Sequence, residues 1–267
     1  MPCLSLYKYS SSMIHMTQKK PSALLALEPR TQTQPIHLGI IPDGNRRFAK
    51  QLLTKPWKGH EWGVEKVYKV FEWCRKRNVK TITFYALSLE NMEKRPQYEL
   101  TYLYNLARKE LADIIENKNH FVHTDKVKLI FFGKLELLPK DLQDTIHTAM
   151  DLTKNYSRYT INFAIAYGGR QELVHATRTI ANKVKKGTLT VADIDETLLR
   201  NNLLTTDMGD PDLIIRTGGE KRFSNFLLYQ AAYSELAFTD TLWPNLTEHE
   251  LTRMLDEFRS RERRFGR

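Results

Sequence analysis

The sequence predicts a single α/β domain with a central, mostly parallel sheet flanked by helices. Apolar, β-branched segments alternate with longer amphipathic segments, and strands separated by helices of this length are typical of parallel βαβ units. Short polar clusters follow four of the predicted strands. Because ligands of open parallel sheets bind beyond the carboxyl ends of the strands, we expect these clusters to converge on one rim.

The predicted strands and helices alternate in a regular order. Strands are expected where apolar residues run together or alternate, at residues 38–41, 79–87, 127–132, 159–166 and 212–216. Helices are expected where apolar residues recur at helical spacing, at residues 60–77, 97–117, 139–156, 171–186 and 248–263, with a further short helix from Thr190. Residues 226–229 and 237–239 are expected to be short buried segments.

Length and composition limit how the chain is organised. The 267 residues suffice for one large domain, and no Gly/Pro-rich linker divides the middle. Residues 36–267 are therefore predicted to fold as one unit, after a flexible, polar tail at residues 1–35. Two cysteines are too few for a disulfide framework or a cysteine-based zinc site, which favours a cytoplasmic location. No apolar run approaches the roughly 18 to 20 residues of a membrane-spanning helix.

The chain is basic, with 41 Lys and Arg against 31 Asp and Glu, a formal net charge of +10. Such an excess is typical of proteins with an anionic partner, which is nucleic acid, an acidic membrane surface or a phosphorylated substrate. Composition alone does not choose among the three.

The segment HLGIIPDGNRRFAK at residues 37–50 is the strongest local signal. A strand ends there and a helix starts, separated by the polar turn Asp43, Gly44, Asn45, Arg46 and Arg47. Backbone N–H groups at a helix N-terminus, with about half a positive charge from the dipole, favour a phosphate. Asp43 would repel that phosphate unless a divalent cation such as Mg²⁺ lay between them. The alternative is that Asp43 caps the helix and Asn45 serves the turn.

A second anion site is predicted in the loop after residues 212–216. Its donors, enough to hold a second diphosphate through charge-assisted contacts, are Arg216, Lys221, Arg222 and Ser224. The alternative is a solvated basic loop. Glu235 follows in the otherwise apolar AAYSELAF, where a carboxylate has to be paired or bind a metal.

Taken together, these motifs resemble the cis-prenyltransferases, the undecaprenyl diphosphate synthase family. The resemblance covers residues 36–266 and is closest in wording to archaeal tritrans,polycis-undecaprenyl diphosphate synthases. It rests, in chain order, on HLGIIPDGNRRFAK, the GH pair at residues 59–60, YALSLEN, YGGRQEL, DLIIRTGGEKRFSNFLLYQAAYSELAFTDTLWP and the terminal RERRFG. It implies the fold of that family with an apolar tunnel, residues 36–267 being the catalytic domain. It also implies repeated condensation of isopentenyl diphosphate onto geranylgeranyl or farnesyl diphosphate, each step forming a Z double bond.

The resemblance also implies a role for each matched residue. Asp43 matches the key catalytic, Mg²⁺-binding aspartate, Asn91 the position assigned to proton removal, and Glu235 the second acidic metal position. The other matched residues are expected to bind the two diphosphate substrates: Gly44, Asn45, Arg46, Arg47, Phe48, His60, Ser88, Leu89, Glu90, Met92, Arg95, Arg216, Arg222, Phe223, Ser224, Arg264 and Gly266. Arg264 and Gly266 form the terminal RxG that reaches the partner's active site in this family, so a homodimer is implied.

Some positions depart from the family pattern. Phe48 and Met92 stand where the family usually has tryptophan, and an extra residue before Arg95 leaves either Lys94 or Arg95 for the basic role. These changes concern the allylic substrate. Ala86 is small and is compatible with a long product, and the helix at residues 97–117 is expected to wall the tunnel, although core packing predicts the same leucine stripe.

Other functions stay open at this point. The chain could be a short-chain or irregular cis-prenyltransferase, or one subunit of a heteromeric enzyme, although such silent partners typically lose catalytic motifs that this chain retains. A nucleic-acid-binding protein would carry basic residues along one face with exposed aromatics, whereas these arginines cluster at strand ends beside carboxylates. Nucleic acid is therefore not expected as a partner. A lipid product would favour peripheral contact of the basic surface with a membrane.

Overall fold

Six parallel strands form the centre of the molecule. The structure is a computed structural model that describes residues 37–260, so the predictions for residues 1–35, Arg264 and Gly266 lie outside the described residues. The strands, whose spatial order is β3-β4-β2-β1-β5-β6, are β1 (His37–Ile41), β2 (Thr81–Ser88), β3 (Val127–Phe132), β4 (Tyr159–Tyr167), β5 (Leu213–Arg216) and β6 (Glu235–Phe238). All five strand pairs are parallel, which confirms the predicted fold class.

Helices connect the strands and cover the sheet. They are α1 (Asn45–Gln51), α2 (Gly59–Lys76), α3 (Leu89–Lys94), α4 (Gln97–Glu116), α5 (Phe121–Thr124), α6 (Lys140–Thr153), α7 (Gly169–Lys185), α8 (Glu196–Arg200) and α9 (Glu248–Ser260). Among the described residues, no helix is both long enough and apolar enough to cross a bilayer.

The core consists of two apolar clusters. The larger one joins Leu38 and Ile40 of β1 to the apolar sides of α2, α4, α6 and α9. The smaller one contains Ile41, Tyr85, Ile214 and Phe226, beneath the loop that follows β5. Burying an aliphatic or aromatic side chain stabilises a fold by about 1.5 to 3 kcal/mol, so these clusters fix the strands that end at the rim.

The strand order places a crevice between β1 and β5. From β1 the chain passes to β2, which pairs with one side of β1. The other side of β1 pairs with β5, and the connection from β4 to β5 crosses over β2 and β1. Ile41 and Arg216, the last residues of the two strands, are register partners. Ligands of open α/β sheets bind at such a switch point, where neighbouring loops separate.

The short elements differ most from the sequence prediction. Ala237 and Phe238 belong to the edge strand β6, which ends before Thr239, and they are only partly buried or exposed rather than forming a buried segment. Thr190 opens only a 3₁₀ turn through a capping box, and α8 begins later, where the Asp195 carboxylate accepts from Leu198 N–H at 2.7 Å. Both differences arise because elements this short are stabilised by helix caps or by pairing with a neighbouring strand. The periodicity of apolar residues does not predict either kind of contact.

Candidate active site

Asp43 and Arg216 join the turn after β1 to the end of β5. The Arg216 side chain is 5 % exposed, and its Nη2 donates to Asp43 Oδ2 at 2.8 Å. Thr217 Oγ1 also donates to the Asp43 carbonyl oxygen at 2.8 Å, and Trp243 N–H does so at 2.9 Å. Asp43 is therefore held at the switch point through both its carboxylate and its main-chain carbonyl.

The other side of the Arg216 guanidinium orders the loop after β5. Nη1 donates to the carbonyl oxygen of Arg222 at 2.6 Å and to Ser224 Oγ at 2.7 Å. Arg216 Nε is buried and has no hydrogen-bond partner within residues 37–260. The Arg222 guanidinium is exposed and pairs with Glu220, and Phe223 packs on the smaller apolar cluster.

The turn after Asp43 needs two glycine positions. Gly44 has a φ of 111°, and a Cβ there would lie 2.9 Å from the Leu242 side chain. Asn45 lies against α2, where a Cβ on Gly63 would come within 2.5 Å of Asn45 Oδ1. Its Nδ2 donates to the Pro42 carbonyl oxygen at 3.3 Å. The Asn45 side chain thus lies between the turn and α2, and its role in substrate binding stays a prediction.

Arg47 extends the Asp43 contact, with Nη2 3.3 Å from Oδ1, and its side chain is about half exposed. Phe48 packs edge-on against Trp62, with ring centroids 5.4 Å apart. Asp43 therefore contacts one buried and one exposed arginine, which leaves its carboxylate partly open to solvent.

A second basic group lies around Glu99 at the start of α4. The Glu99 carboxylate is 1 % exposed, with Arg95 Nε at 3.5 Å and Arg46 Nη2 at 3.8 Å. Burial, and then the nearby Arg95 and Arg46 charges, lower the pKa of His60 to about 3. His60 is consequently neutral at physiological pH. Three buried atoms of this group, His60 Nε2, Arg95 Nη1 and Glu99 Oε1, have no hydrogen-bond partner within residues 37–260.

The SLEN cluster caps a short helix at the end of β2. Ser88 Oγ accepts from the Asn91 N–H at 3.0 Å, which makes Ser88 the N-cap of α3 and leaves the Asn91 side chain exposed. Leu89 is buried, and Met92 packs against the larger apolar cluster. Of the matched residues in this cluster, Ser88 orders the turn while Glu90 and Asn91 face the neighbouring loops.

Asn225, which the sequence analysis did not select, connects three rim loops. Its Nδ2 donates to Glu90 Oε1 at 2.7 Å and to Gln171 Oε1 at 2.9 Å, and its Oδ1 accepts from Arg170 N–H at 2.8 Å. Ser224 and Asn225 have φ values of 50° and 67°. Asparagine tolerates this left-handed region better than most residues. An asparagine directly after Ser224, in a loop predicted to bind phosphate, is therefore the sequence feature that could have identified Asn225.

Glu172 is a second residue that the motif reading missed. Its buried carboxylate accepts from Tyr167 Oη at 2.6 Å, Gln230 Nε2 at 2.9 Å and Thr205 Oγ1 at 3.0 Å. These bonds attach the first turn of α7 to the segment that follows Asn225. Glu172 lies one helical turn before the buried Ala176, on the apolar face of α7. Charged residues are rarely placed on such a face, so this position could have been noticed in the sequence.

The four polar clusters therefore meet on one rim, as expected. Asp43 contacts Arg216, and Asn225 contacts both Glu90 and Gln171. Each contact joins loops that follow different strands. Cationic side chains form two groups in these loops, one around Arg216 and one around Arg46 and Arg95.

Comparisons with known proteins identify the protein family to which this chain belongs. The Prenyltransf family model, described as undecaprenyl diphosphate synthase, matches residues 41–266. The chain belongs to the undecaprenyl diphosphate synthase family. The family, predicted from the motifs, is confirmed.

Relatives within the undecaprenyl diphosphate synthase family align over most of the chain. Tritrans,polycis-undecaprenyl-diphosphate synthase (geranylgeranyl-diphosphate specific) of Methanopyrus kandleri is 47 % identical over 87 % of this chain and 85 % of its own. The Pyrococcus abyssi protein of the same name is 45 % identical over 87 % of each chain. The crystal structure of lavandulyl diphosphate synthase from Lavandula x intermedia, in complex with dimethylallyl diphosphate, has a TM-score of 0.82 at 34 % identity, covering 88 % of this chain and 99 % of its own.

Glu235 lies away from Asp43 in this undecaprenyl diphosphate synthase family member. It begins β6 and pairs with Leu213 at the amino end of β5, whereas Arg216 and its neighbour Asp43 are at the carboxyl end. Within residues 37–260, no group of three or more His, Cys, Asp or Glu side chains is arranged to hold a metal ion. An ion at Asp43 would therefore complete its shell with substrate oxygens and water, a donor set that suits Mg²⁺.

An apolar surface opens beside the SLEN cluster. Ala86 is exposed although β2 is an interior strand, and Phe163 and Ile165 on the neighbouring β4 are only partly buried. Phe163 stacks on Phe84 and Phe131, with ring centroids 5.7 and 5.1 Å apart. The surface thus starts at the rim and is lined by carbon atoms of three strands.

Proposed function

We propose that this chain is a Z-type prenyl diphosphate synthase. It would condense isopentenyl diphosphate with an allylic diphosphate, geranylgeranyl or farnesyl diphosphate, to make a polyprenyl diphosphate such as undecaprenyl diphosphate for glycosyl carrier lipid. The observation that carries this proposal is the Asp43–Arg216 junction at the switch point of the sheet. The relatives' specificity for geranylgeranyl diphosphate supports that primer.

The reaction determines what the rim has to do. The bond between the allylic carbon and its diphosphate breaks, the isopentenyl double bond attacks that carbon, and a proton then leaves the new chain. Negative charge collects on the departing diphosphate while positive charge develops on carbon. Preorganised cations and hydrogen-bond donors around the diphosphate therefore lower the barrier more than they stabilise the ground state.

The two basic groups divide the two substrates between them. Arg46, Arg47, Arg95 and neutral His60 receive the allylic diphosphate, because they follow β1 and the SLEN cluster. The isopentenyl diphosphate is bound by the loop donors Arg216, Arg222 and Ser224. Two of these donors already share a hydrogen bond, between Arg216 Nη1 and Ser224 Oγ, so the second site is ordered.

Asp43 is the residue that would hold Mg²⁺ together with diphosphate oxygens. When bound, the ion neutralises charge on the leaving diphosphate. Arg216 and Arg47 keep the Asp43 carboxylate oriented towards the rim. Glu235 remains a predicted metal ligand, although its position on β6 separates it from Asp43 of the same chain.

Asn91 positions the isopentenyl group for proton loss. An amide is a feeble base, so the proton passes to a diphosphate oxygen while Asn91, exposed at the start of α3, orients the substrate. The growing chain then extends along the apolar surface at Ala86, between the sheet and α4, which forms the proposed tunnel.

The test is incubation of the purified chain with labelled isopentenyl diphosphate, Mg²⁺ and separate allylic primers from C5 to C20. Long Z-polyprenyl products from geranylgeranyl diphosphate support the proposal, and no product with any primer contradicts it. The likeness to lavandulyl diphosphate synthase favours a second candidate, an irregular or short-chain condensation. Product formed only from dimethylallyl diphosphate would select that candidate.

The homodimer implied by Arg264 and Gly266 is proposed on the family pattern. Light scattering of the purified chain checks its mass. An inactive Asp43→Asn chain mixed with an inactive Arg264→Ala chain then tests shared sites, because mixed dimers regain activity only if the terminus of one chain serves the site of the other. A fully active monomer would contradict a shared site, and a requirement for a second protein would indicate a heteromer.

A further inference from the structure

The loop between α1 and α2 exposes apolar side chains beside the basic turn. We call residues 50–58, which include the end of α1 and the segment that leads to α2, the tip loop. Leu53 is 97 % exposed and Leu52 is 51 % exposed, and both are large apolar residues. Scattered exposed leucines are ordinary on soluble proteins, so exposure alone carries little weight. The backbone of Leu53 supplies the stronger observation.

Leu53 ends α1 in a conformation that favours glycine. Its φ is 53°, its N–H donates to Lys50 O at 3.1 Å, and Thr54 N–H donates to Ala49 O at 3.0 Å. This is the Schellman arrangement, in which glycine, or sometimes asparagine, occupies the left-handed position. A leucine at this position is strained as well as fully exposed, so two separate costs fall on one side chain.

Asn78 shows the usual solution in the same molecule. It ends α2 with a φ of 59°, its N–H donates to Arg75 O at 3.1 Å, and Val79 N–H donates to Cys74 O at 3.0 Å. The two helix ends share one backbone motif, but only α1 places a large apolar side chain on it.

Two aromatic rings pack together at the end of the tip loop. Trp57 packs edge-on against Tyr98 with ring centroids 4.9 Å apart, and Tyr98 is 58 % exposed. Lys55 Nζ lies 5.5 Å from the centroid of the Trp57 ring. Tryptophan and tyrosine with nearby lysines are typical of segments at the level of lipid headgroups.

Along the sequence, the charges of the tip loop and of the helix before it have one sign. Between Asp43 and Glu61 the sequence carries five cations, and no carboxylate: Arg46, Arg47, Lys50, Lys55 and Lys58. Lys50, Lys55 and Lys58 are exposed. An anionic surface is therefore attracted to the part of the chain where the leucines protrude.

We propose that the tip loop docks this protein on an anionic lipid bilayer. Leu52 and Leu53 enter the boundary between headgroups and acyl chains, Trp57 and Tyr98 lie among the headgroups, and the lysines contact lipid phosphates. A protruding leucine offers a nucleic acid neither stacking nor base contacts, whereas a bilayer accepts it. The tip loop directly follows the helix that carries Arg46 and Arg47, so docking brings the diphosphate-binding turn to the membrane surface.

The decisive variant is Leu53→Gly, because it should raise the stability of the protein while it weakens binding to the membrane. Glycine relieves the left-handed backbone, so the melting temperature rises, while loss of the inserted side chain lowers the vesicle-bound fraction about tenfold. Binding is measured by sedimentation with vesicles of phosphatidylglycerol and phosphatidylcholine in equal parts. Asn78→Gly is the matched control, since it makes the same backbone change without removing an apolar side chain, and its sedimentation is expected to equal that of the wild type.

A second pair of variants tests the charges. Replacing Lys50, Lys55 and Lys58 together with glutamine weakens sedimentation at low salt, whereas the same change at the exposed Lys118, Lys154 and Lys186 leaves it unchanged. Equal sedimentation of the wild type and Leu53→Gly overturns the proposal. So does equal loss in Asn78→Gly, or retention on RNA without binding to vesicles. The measurement uses no substrate, so its result is independent of the prenyl-transfer reaction.

Discussion

Asp43 and Arg216 are 173 residues apart in sequence, and Asp43 Oδ2 accepts from Arg216 Nη2 at 2.8 Å. The same guanidinium donates to Ser224 Oγ, so one buried arginine connects the proposed metal-binding carboxylate to the loop for the second diphosphate. A charge-assisted bond from a buried donor is among the stronger polar contacts in a protein. We therefore expect the spacing of the two proposed diphosphate sites to depend on this side chain.

Asp43→Asn should abolish most of the activity while leaving the fold intact. The amide oxygen still accepts from Arg216, but the negative charge for the metal is lost, so kcat should fall by about 10²- to 10³-fold. The assay is incorporation of labelled isopentenyl diphosphate, alongside a thermal melt. Asp151→Asn removes an exposed carboxylate 3.3 Å from Lys154 and serves as the control. Wild-type elongation by Asp43→Asn would refute the assigned role.

Asn225→Asp should raise the KM for isopentenyl diphosphate about tenfold, the size expected from the loss of one partly buried hydrogen bond. The carboxylate would face Glu90 and Gln171, where the amide now donates. Adding Glu90→Gln supplies a donor again, so the double variant should recover part of the loss. Asn225→Gly keeps the left-handed backbone and should have an intermediate KM. A fall in melting temperature with no change in KM would reduce Asn225 to a structural residue.

Ala86→Leu should shorten the products. Ala86 is exposed on an interior strand beside the partly buried Phe163, so a larger side chain there narrows the apolar surface along which the chain is proposed to grow. Product length is measured by chromatography of the dephosphorylated prenols. Ala86→Ser, which is nearly the same size, should leave the distribution unchanged. An unaltered distribution for Ala86→Leu would place the tunnel elsewhere.

The buried His37 should make stability depend on pH. Its Nε2 lies 2.7 Å from Thr83 Oγ1, and burial lowers its pKa to about 4. Between about pH 6.5 and pH 4 the unfolded chain therefore binds a proton that the folded chain does not, and stability falls as the pH decreases, by up to about 3 kcal/mol. Neutral His60 adds to this loss, with a window that extends to about pH 3.

Urea unfolding at several pH values checks this expectation. His37→Asn should make the loss of stability between pH 6.5 and pH 4 smaller than in the wild type, while exchange of the exposed His147 for asparagine should not. The comparison uses the slope with pH, so any constant destabilisation by the substitution cancels. Equal slopes for His37→Asn and the wild type would show that His37 is not protonated differently on unfolding.

The rim was predictable from the sequence because it depends on strand ends. Apolar runs mark β1, β2, β4 and β5, and the carboxyl ends of parallel strands necessarily meet at one edge. The pairing of Asp43 with Arg216 follows from this rule once both strands are central. The residue types and their positions at strand ends were thus sufficient to predict that the four clusters converge.

Other features depend on tertiary packing that no local pattern records. The Asn45 side chain lies against Gly63 of α2, although its place in a polar turn equally allows contact with a ligand. The register of β6 places Glu235 at the amino end of the sheet, which a four-residue edge strand does not reveal in sequence. Asn225 was missed because its three partners come from two other loops.

The order of strands also has a consequence for biosynthesis. Of the strands that the structure describes, β1 is synthesised first, whereas its neighbour β5 begins only at Leu213, after β2, β3 and β4. Until then Asp43 lacks its contact with Arg216, and the crevice has only one wall. A polypeptide that ends before β5 consequently lacks the Asp43–Arg216 contact on which the proposed binding of both diphosphates depends.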